Sequence, residues 1–362
     1  MDIAVTITTR DSLIRKSYVS SKIIDAMYSV ISATYHGDTC TGIDNPTDYN
    51  PKHLGDFLTY ILHCPENVET PLVKVSDNRV CGNDLYCDDF VGRIFVCFSG
   101  GVDSAGALLN YIDSGKVPVA LWCNYGQSYS KSERSAVERI CRILNVPLIE
   151  ATIDLMELIE IGGNKYGHIF PARNLLIASI ALCFHPSKIV LAGLVDEVVV
   201  PDKSVRMYEE FGKIFGTELY SPFIGATKTE VLCVWRYKWD RYLSADETVS
   251  CYNPSGNCQN CSSCAKRETA MVASGYHNYF PPVFLNQSEL IEQHWFSRIN
   301  SFMYERRADL LIALEKFSGQ LPPAVQSLVE NCCASYNLEI QRRKEHLNSL
   351  LRGNIPNGFF RV

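Results

Sequence analysis

Phe98-Ser99-Gly100-Gly101-Val102-Asp103-Ser104-Ala105-Gly106-Ala107-Leu108-Leu109 follows an apolar run, Ile94 to Phe98, and opens a helical pattern at Val102. A strand, a Gly-Gly turn and a helix N-terminus in that order make an anion cradle. Glycines let the backbone approach an anion closely. The N–H groups of the first helical turn lack intrahelical acceptors, and the helix dipole favours negative charge there. Ser99, Gly100, Gly101, Val102 and Ser104 therefore read as phosphate-binding residues. Asp103 would repel a bare phosphate. It fits if it holds Mg²⁺, which bridges carboxylate and phosphate oxygens.

No Lys follows the glycines, which excludes a Walker loop. Gly100 and Gly101 are adjacent, which excludes a dinucleotide fingerprint. Ser-Gly-Gly-x-Asp-Ser resembles the pyrophosphate loop (PP-loop) of the ATP pyrophosphatases. That resemblance implies ATP cleaved between its α- and β-phosphates and a substrate that becomes adenylated. The plain alternative is a strand–turn–helix corner capped by a Ser and an Asp.

Around the loop, from 93 to 225, strand and helix patterns alternate. Strands are expected at 94–98, 117–123, 147–153 and 188–193, and helices at 103–113, 130–144, 171–184 and 204–215. Such alternation predicts an α/β fold with a parallel sheet and helices on both faces. Ligands bind at the carboxyl ends of the strands in such sheets. The Ser99 loop, Asn124-Tyr125-Gly126-Gln127 and Gly193–Lys203 all lie at such ends.

Before residue 90 the texture differs. Ile3–Thr8 is β-rich, Leu13–Tyr35 has partial helical spacing, and a second helical pattern runs through Leu54, Phe57, Leu58 and Ile61. Cys81 and Cys87 are a candidate metal pair, although two ligands do not make a tetrahedral site. Towards the C-terminus, Asn286 to Phe317 reads as a long helix that Leu321-Pro322-Pro323 ends, and a further helix is expected at about 324–351. The expected divisions are an N-terminal mixed α/β extension (1–90), a PP-loop α/β domain (91–245), a four-cysteine zinc knuckle (246–275) and a C-terminal helical region (276–362).

With a net charge of −6 across 362 residues, the chain carries no footprint for a nucleic-acid or membrane surface. It has no run of 18 apolar residues and no basic, apolar leader at Met1, so a cytoplasmic location with reduced cysteines is expected. Cys251, Cys258, Cys261 and Cys264 have the spacing C-x6-C-x2-C-x2-C. Four thiolates suit tetrahedral Zn²⁺ and leave no open position, so such a zinc is structural. An iron–sulfur cluster is the alternative.

The loop and the cysteine cluster together resemble QueC, the 7-cyano-7-deazaguanine synthase family, over about 93–275. Asn124-Tyr125-Gly126-Gln127, Pro171-Ala172-Arg173-Asn174, Pro201-Asp202, Pro222 with Lys228, and Ser250-Cys251-Tyr252 match further pieces of that family in order. The resemblance implies an adenine nucleotide alpha hydrolase-like fold. It also implies ATP, Mg²⁺ and Zn²⁺, and a 7-carboxy-7-deazaguanine substrate whose carboxylate is adenylated and then joined to an amine. Ammonia gives an amide, which a second ATP converts to a nitrile. Asp103, Arg173 and Lys228 then have catalytic roles, the last two neutralising charge on the α-phosphate or the carboxylate. Tyr125, Gln127 and Asp202 belong to the binding residues, with Gln127 and Asp202 either reading the purine-like edge or shaping the turns they sit in.

Ser128-Tyr129 stand where that family continues Arg-His, and Lys203 replaces a Cys. About 90 residues flank the resemblance on each side. This layout resembles the QueC-like proteins of bacterial antiviral defence operons. It implies a co-encoded protein as the amine acceptor and a deazaguanine–protein conjugate as the product. A homodimer is expected from the apolar faces of the terminal helices. The alternatives are an inactive nucleotide-binding scaffold and a tRNA-modifying PP-loop enzyme.

Overall fold

The computed structural model describes residues 3–9, 14–19, 90–153, 173–182, 184–197, 203–254, 256–259, 261–278, 304–317, 319–321 and 323–360. Among these residues seven strands form one sheet: β1 (Ile3–Thr9), β2 (Ile14–Val19), β3 (Ile94–Cys97), β4 (Val119–Asn124), β5 (Leu148–Ile153), β6 (Lys188–Val190) and β7 (Glu218–Tyr220). The order is β2-β1-β5-β4-β3-β6-β7. The run from β5 to β7 is parallel, with Phe95 paired to Val119 on one side and to Ile189 on the other. β1 is antiparallel to both β2 and β5. The chain moves from β3 outward through β4 and β5, then returns to β6 on the other side of β3. That reversal opens a crevice beyond the carboxyl ends of β3 and β6.

The expected α/β class with a parallel core is what the chain adopts. α1 (Val102–Asp113), α2 (Ser130–Leu144), α3 (Arg173–Leu182) and α4 (Val205–Phe215) fall where periodicity placed helices. α2 buries Ala136, Val137, Ile140 and Cys141 and stops at Asn145, whose φ of 53° begins a left-handed cap. In α4, Ser204 Oγ accepts from Met207 N at 3.1 Å, which fixes the first turn.

Sequence periodicity did not mark β7, nor α5 (Lys228–Val234), nor α6 (Ser262–Ala273), because each is short or polar. The expected partial helix from Leu13 begins instead as β2, whose pairing with β1 overrides local spacing. The single helix expected at 324–351 is two, α8 (Pro323–Ser335) and α9 (Asn337–Leu351). Ser335 Oγ bonds back to Asn331 O at 2.9 Å, a contact that bends helices, and the Arg307 guanidinium stacks on the ring of the intervening Tyr336. Of the helix expected from Asn286, the described part is α7 (Tyr304–Glu315). The expected helix through Leu54–Ile61 and the candidate pair Cys81 and Cys87 lie outside the described residues.

The main core packs Val96, Phe98 and Val190 of the sheet side with Leu108 of α1, Phe223, and Trp235 and Trp239 of the turn that follows α5. Burying each such side chain contributes roughly 1.5–3 kcal/mol. A second core joins the cysteine knuckle to the C-terminal helices through Cys264, Val272, Leu310, Leu314, Ile340 and Leu347. Among the described residues no helix is long and apolar enough to cross a membrane.

Candidate active site

β3 ends at Cys97, and the PP-loop turns immediately into α1. Gly100 has φ of +73°, and a Cβ there would stand 3.2 Å from Ala136 Cβ in α2, so the turn needs glycine. Gly101 is the N-cap of α1, with extended backbone. Ser104 Oγ braces the loop by donating to Gly101 O at 3.2 Å and accepting from Ser99 N at 3.3 Å. Helical geometry leaves the N–H groups of Val102, Asp103 and Ser104 without intrahelical acceptors.

The loop opens onto a cavity of about 170 Å³ at the switch point, between β3, β4 and β6. Ser99, Gly101, Asp103, Ser104, Tyr125 and Arg173 line it. Lys228, the first residue of α5, meets the site through Asp103, with Nζ 2.5 Å from that carboxylate. The α5 backbone at Lys228 is set by a capping box in which Thr227 and Glu230 exchange hydrogen bonds. Burial pushes the Asp103 carboxyl up, while Lys228 pulls against that shift.

Arg173, which also lines the cavity, donates from Nη1 to Tyr125 Oη at 3.2 Å and to Tyr129 Oη at 3.3 Å. The two hydroxyls are 2.8 Å apart. Burial pushes both phenols up, so they stay neutral. Tyr129 thus faces the same guanidinium as Tyr125, and its ring packs on Tyr252 from the knuckle.

Gln127 does not line the cavity. It is 5% exposed, and its amide is spent inside the turn. Oε1 accepts from Tyr125 N at 2.9 Å, and Nε2 donates to Cys123 O at 3.3 Å and Glu133 Oε2 at 3.0 Å. The expected reading of a purine-like edge by Gln127 gives way to a role in shaping the turn. Asp202 lies outside the described residues.

Three charged residues of the cavity were missed by sequence reasoning as site residues: Glu133, Glu197 and Lys203. Burial pushes the Glu133 carboxyl up, against the Gln127 hydrogen bond. Burial also pushes Glu197 up, but Lys203 at 2.9 Å, with Lys228 and Lys266 further off, outweighs it and holds the carboxyl at about 2. The strand-end position of the loop after β6 was the available signal for Glu197 and Lys203. Asp103 and Glu197 supply the carboxylate oxygens that a hard Mg²⁺ ion prefers, so the residues fit that ion. Cys97 and Cys123 also line the cavity. Burial pushes the Cys97 thiol up to about 12 and raises Cys123 well above its ordinary value, so neither is a thiolate nucleophile at neutral pH.

Behind the loop, the sulfurs of Cys251, Cys258, Cys261 and Cys264 lie within 4.8 Å of one another. The Cys251–Cys261 and Cys258–Cys264 separations are 4.0 and 3.9 Å. A tetrahedral zinc with Zn–S bonds of about 2.3 Å needs sulfurs about 3.8 Å apart, so the four thiols can hold one ion. The knuckle touches the loop directly, because Val249 N donates to Gly100 O at 2.9 Å and Tyr252 lines the cavity.

The family model described as "Queuosine biosynthesis protein QueC" matches residues 93–168 and 163–275, just over half of the chain. The chain belongs to the QueC family. A 7-cyano-7-deazaguanine synthase of Sulfurisphaera tokodaii is 27% identical over 206 residues, which is 54% of this chain and 100% of that protein. The 7-cyano-7-deazaguanine synthase of Marinomonas sp. is 28% identical over 51% of this chain and 94% of its own length. That of Hahella chejuensis is 29% identical over 48% of this chain and 86% of its own. α7, α8 and α9 lie beyond the residues matched by the family model.

Proposed function

We propose that this chain spends ATP to activate the carboxylate of 7-carboxy-7-deazaguanine and joins it to an amine, as a C–N ligase of the cytoplasm. The carboxylate oxygen attacks the α-phosphorus, the bond to the β-phosphate breaks, and pyrophosphate leaves. The amine nitrogen then attacks the acyl carbon, AMP leaves with the C–O electron pair, and the amine loses a proton. Catalysis in such a site is mostly positioning and charge neutralisation.

The observation that carries this reading is the convergence on one cavity of the PP-loop, Asp103 and Arg173, with Lys228 paired to Asp103. The loop N–H groups and the Ser99 and Ser104 hydroxyls would take the β- and γ-phosphates. Asp103 and Glu197 would hold Mg²⁺, which supplies charge neutralisation on the polyphosphate when bound. Arg173 and Lys228 would balance charge at the α-phosphate and the carboxylate. Zinc in the four-cysteine knuckle would be structural, fixing Val249 against the loop.

A second reading concerns the amine. Tyr129 places a neutral hydroxyl on Arg173 where the family has a titratable imidazole. This favours an altered acceptor, a co-encoded protein of an antiviral defence system, with a deazaguanine–protein conjugate as the product. Incubation with ATP, Mg²⁺, 7-carboxy-7-deazaguanine and ammonia, followed by mass spectrometry, tests both. AMP and pyrophosphate must appear, and their absence sinks the adenylation reading. A free nitrile formed at a good rate sinks the conjugate. A deazaguanine adduct on a neighbouring gene product, without nitrile, supports it.

A further inference from the structure

Arg343, in α9, is 3% exposed and makes four short hydrogen bonds. Its Nε donates to Asp309 Oδ1 at 2.7 Å and its Nη2 to Asp309 Oδ2 at 3.0 Å, a fork on the α7 carboxylate. Its Nη1 donates to Glu230 Oε1 at 2.8 Å, and its Nη2 to Thr227 Oγ1 at 2.7 Å. Thr227 and Glu230 are the capping box of α5, the helix that opens with Lys228. His346 Nε2, one turn along α9, lies 2.7 Å from Glu230 Oε1. The guanidinium therefore grips the residue before Lys228, the residue two after it, and a third helix at once.

Lys228 carries a flexible four-carbon stem, so the place of its ammonium depends on the backbone from which it starts. α5 runs on into a π-helical turn at Trp235–Trp239, and the N–H groups of its first turn have no intrahelical acceptors, so its entry needs a cap. Thr227 and Glu230 supply it, and Arg343 holds the cap. Beside this contact a small cavity runs from Glu197 and Lys228 to Arg306 and Asp309 of α7, so α7 and Lys228 line one space. A buried Arg facing two carboxylates also carries a large desolvation cost, and an apolar contact between the same helices would seat them as well. A purely adhesive role does not call for this arrangement, whereas control of α5 does.

We infer that Arg343 is a positioning residue for Lys228, which makes α7 and α9 a working part of the active site. The inference rests on the reading of Lys228 as a cation of the adenylation site. It assigns to helices beyond the family match a duty inside the matched core.

The test is Arg343→Lys, which keeps the charge and loses the fork, with Asp309→Asn as a milder variant that leaves the contacts to Thr227 and Glu230. Three readouts are taken: the melting temperature, kcat and KM for AMP release, and competitive acylation of Lys228 against exposed Lys213 by mass spectrometry. In the native protein the Lys228 ammonium is paired with Asp103 and acylates slowly. Freed from its cap, it should label several-fold faster relative to Lys213. A misplacement of about 1 Å costs about 10²-fold in rate, so kcat should fall towards that extent in Arg343→Lys with KM for ATP little changed. Asp309→Asn should move both readouts in the same direction by less, and it decides the matter if Arg343→Lys does not fold. A folded variant with native kcat and native Lys228 labelling overturns the inference. If the native protein releases no AMP, the adenylation reading fails, and the labelling ratio alone still decides whether Arg343 sets Lys228.

Discussion

Lys228 and Asp103 stand 125 residues apart in the chain, yet the ammonium lies 2.5 Å from the carboxylate at the mouth of the PP-loop. The pair joins the first turn of α1 to the first residue of α5, across the face of the sheet. It puts one positive and one negative charge where a polyphosphate and its metal would sit. Neither residue alone explains the other: the acid is out of place in an anion cradle, and the lysine is away from the glycine loop in sequence.

Lys228→Met should leave the fold intact and lower the rate of AMP release by about 10²- to 10³-fold, the cost of removing one preorganised charge at a developing anion. The same change should move the acid limb of the residual activity to higher pH. Lys228 lowers the proton affinity of Asp103, while burial raises it. Without the lysine, the carboxyl protonates at a higher pH, and the ionised form needed at the loop is lost sooner as pH falls. A pH–rate profile that keeps its acid limb in place would contradict this account.

Gly100→Ala should cost about 1–2 kcal/mol, because the left-handed backbone is strained for any residue with a Cβ. The new methyl also stands 3.2 Å from Ala136 Cβ, so α2 must yield. Gly101→Ala meets no such barrier, with φ of −81° and the closest atom at 3.4 Å. Urea unfolding of the two variants should therefore separate them, Gly100→Ala being the less stable.

What the sequence made legible is what sits close together along it. The PP-loop, the cysteine spacing and the alternation that builds the parallel core are each contained in a short window, and each emerged at its place. Arg173 and Lys228 were singled out through the residues around them; Arg173 lines the cavity, and Lys228 pairs with Asp103, which lines it. Glu133, Glu197 and Lys203 were not, because the crevice collects them by topology, the first from α2 and the other two from the connection after β6. Of the two roles open to Gln127, the turn has a physical reason: a buried amide beside a turn satisfies nearby backbone first, and Tyr125 N, Cys123 O and Glu133 engage it. Arg343 was invisible, since its partners Thr227 and Glu230 lie more than a hundred residues upstream.

Chelation of zinc, or Cys258→Ala, should lower the melting temperature and abolish AMP release together. The four thiols close a loop that carries Val249 to Gly100 and Tyr252 to the cavity wall. Folding free energy and metal binding are linked in such sites. Metal analysis of the native protein should find about one zinc per chain, bound by thiolate alone. A chelated protein with native AMP release would show that the knuckle does not hold the loop.

Tyr129→Phe removes a hydroxyl 2.8 Å from Tyr125 Oη and 3.3 Å from Arg173 Nη1. Losing one hydrogen bond to a charged group costs about 1.5–3 kcal/mol, so kcat/KM for the carboxylate substrate should fall by about tenfold or more. KM for ATP should move less, because the Tyr129 hydroxyl bonds Tyr125 and Arg173 and not the phosphate loop. Equal losses for both substrates would mean that Tyr129 supports the whole cavity and not its acceptor end.

Acid should unfold the C-terminal helices from the core through Glu230. Burial pushes this carboxyl up, but His346, Arg343 and the Thr227 backbone outweigh burial and hold it at about 2, against an ordinary 4.5. A carboxyl depressed in the folded state adds stability that is fully present above its unfolded value. That stability drains away as pH falls from about 4.5 towards 2. The 8% side-chain exposure leaves little solvent screening, and the gap corresponds to about 3 kcal/mol. Glu230→Gln should therefore be less stable than the native protein at pH 7, and the difference should shrink by pH 3. Chemical denaturation at the two pH values measures it. A constant difference would mean that the Arg343 cluster is held by Asp309 and that Glu230 adds no charge-dependent stability.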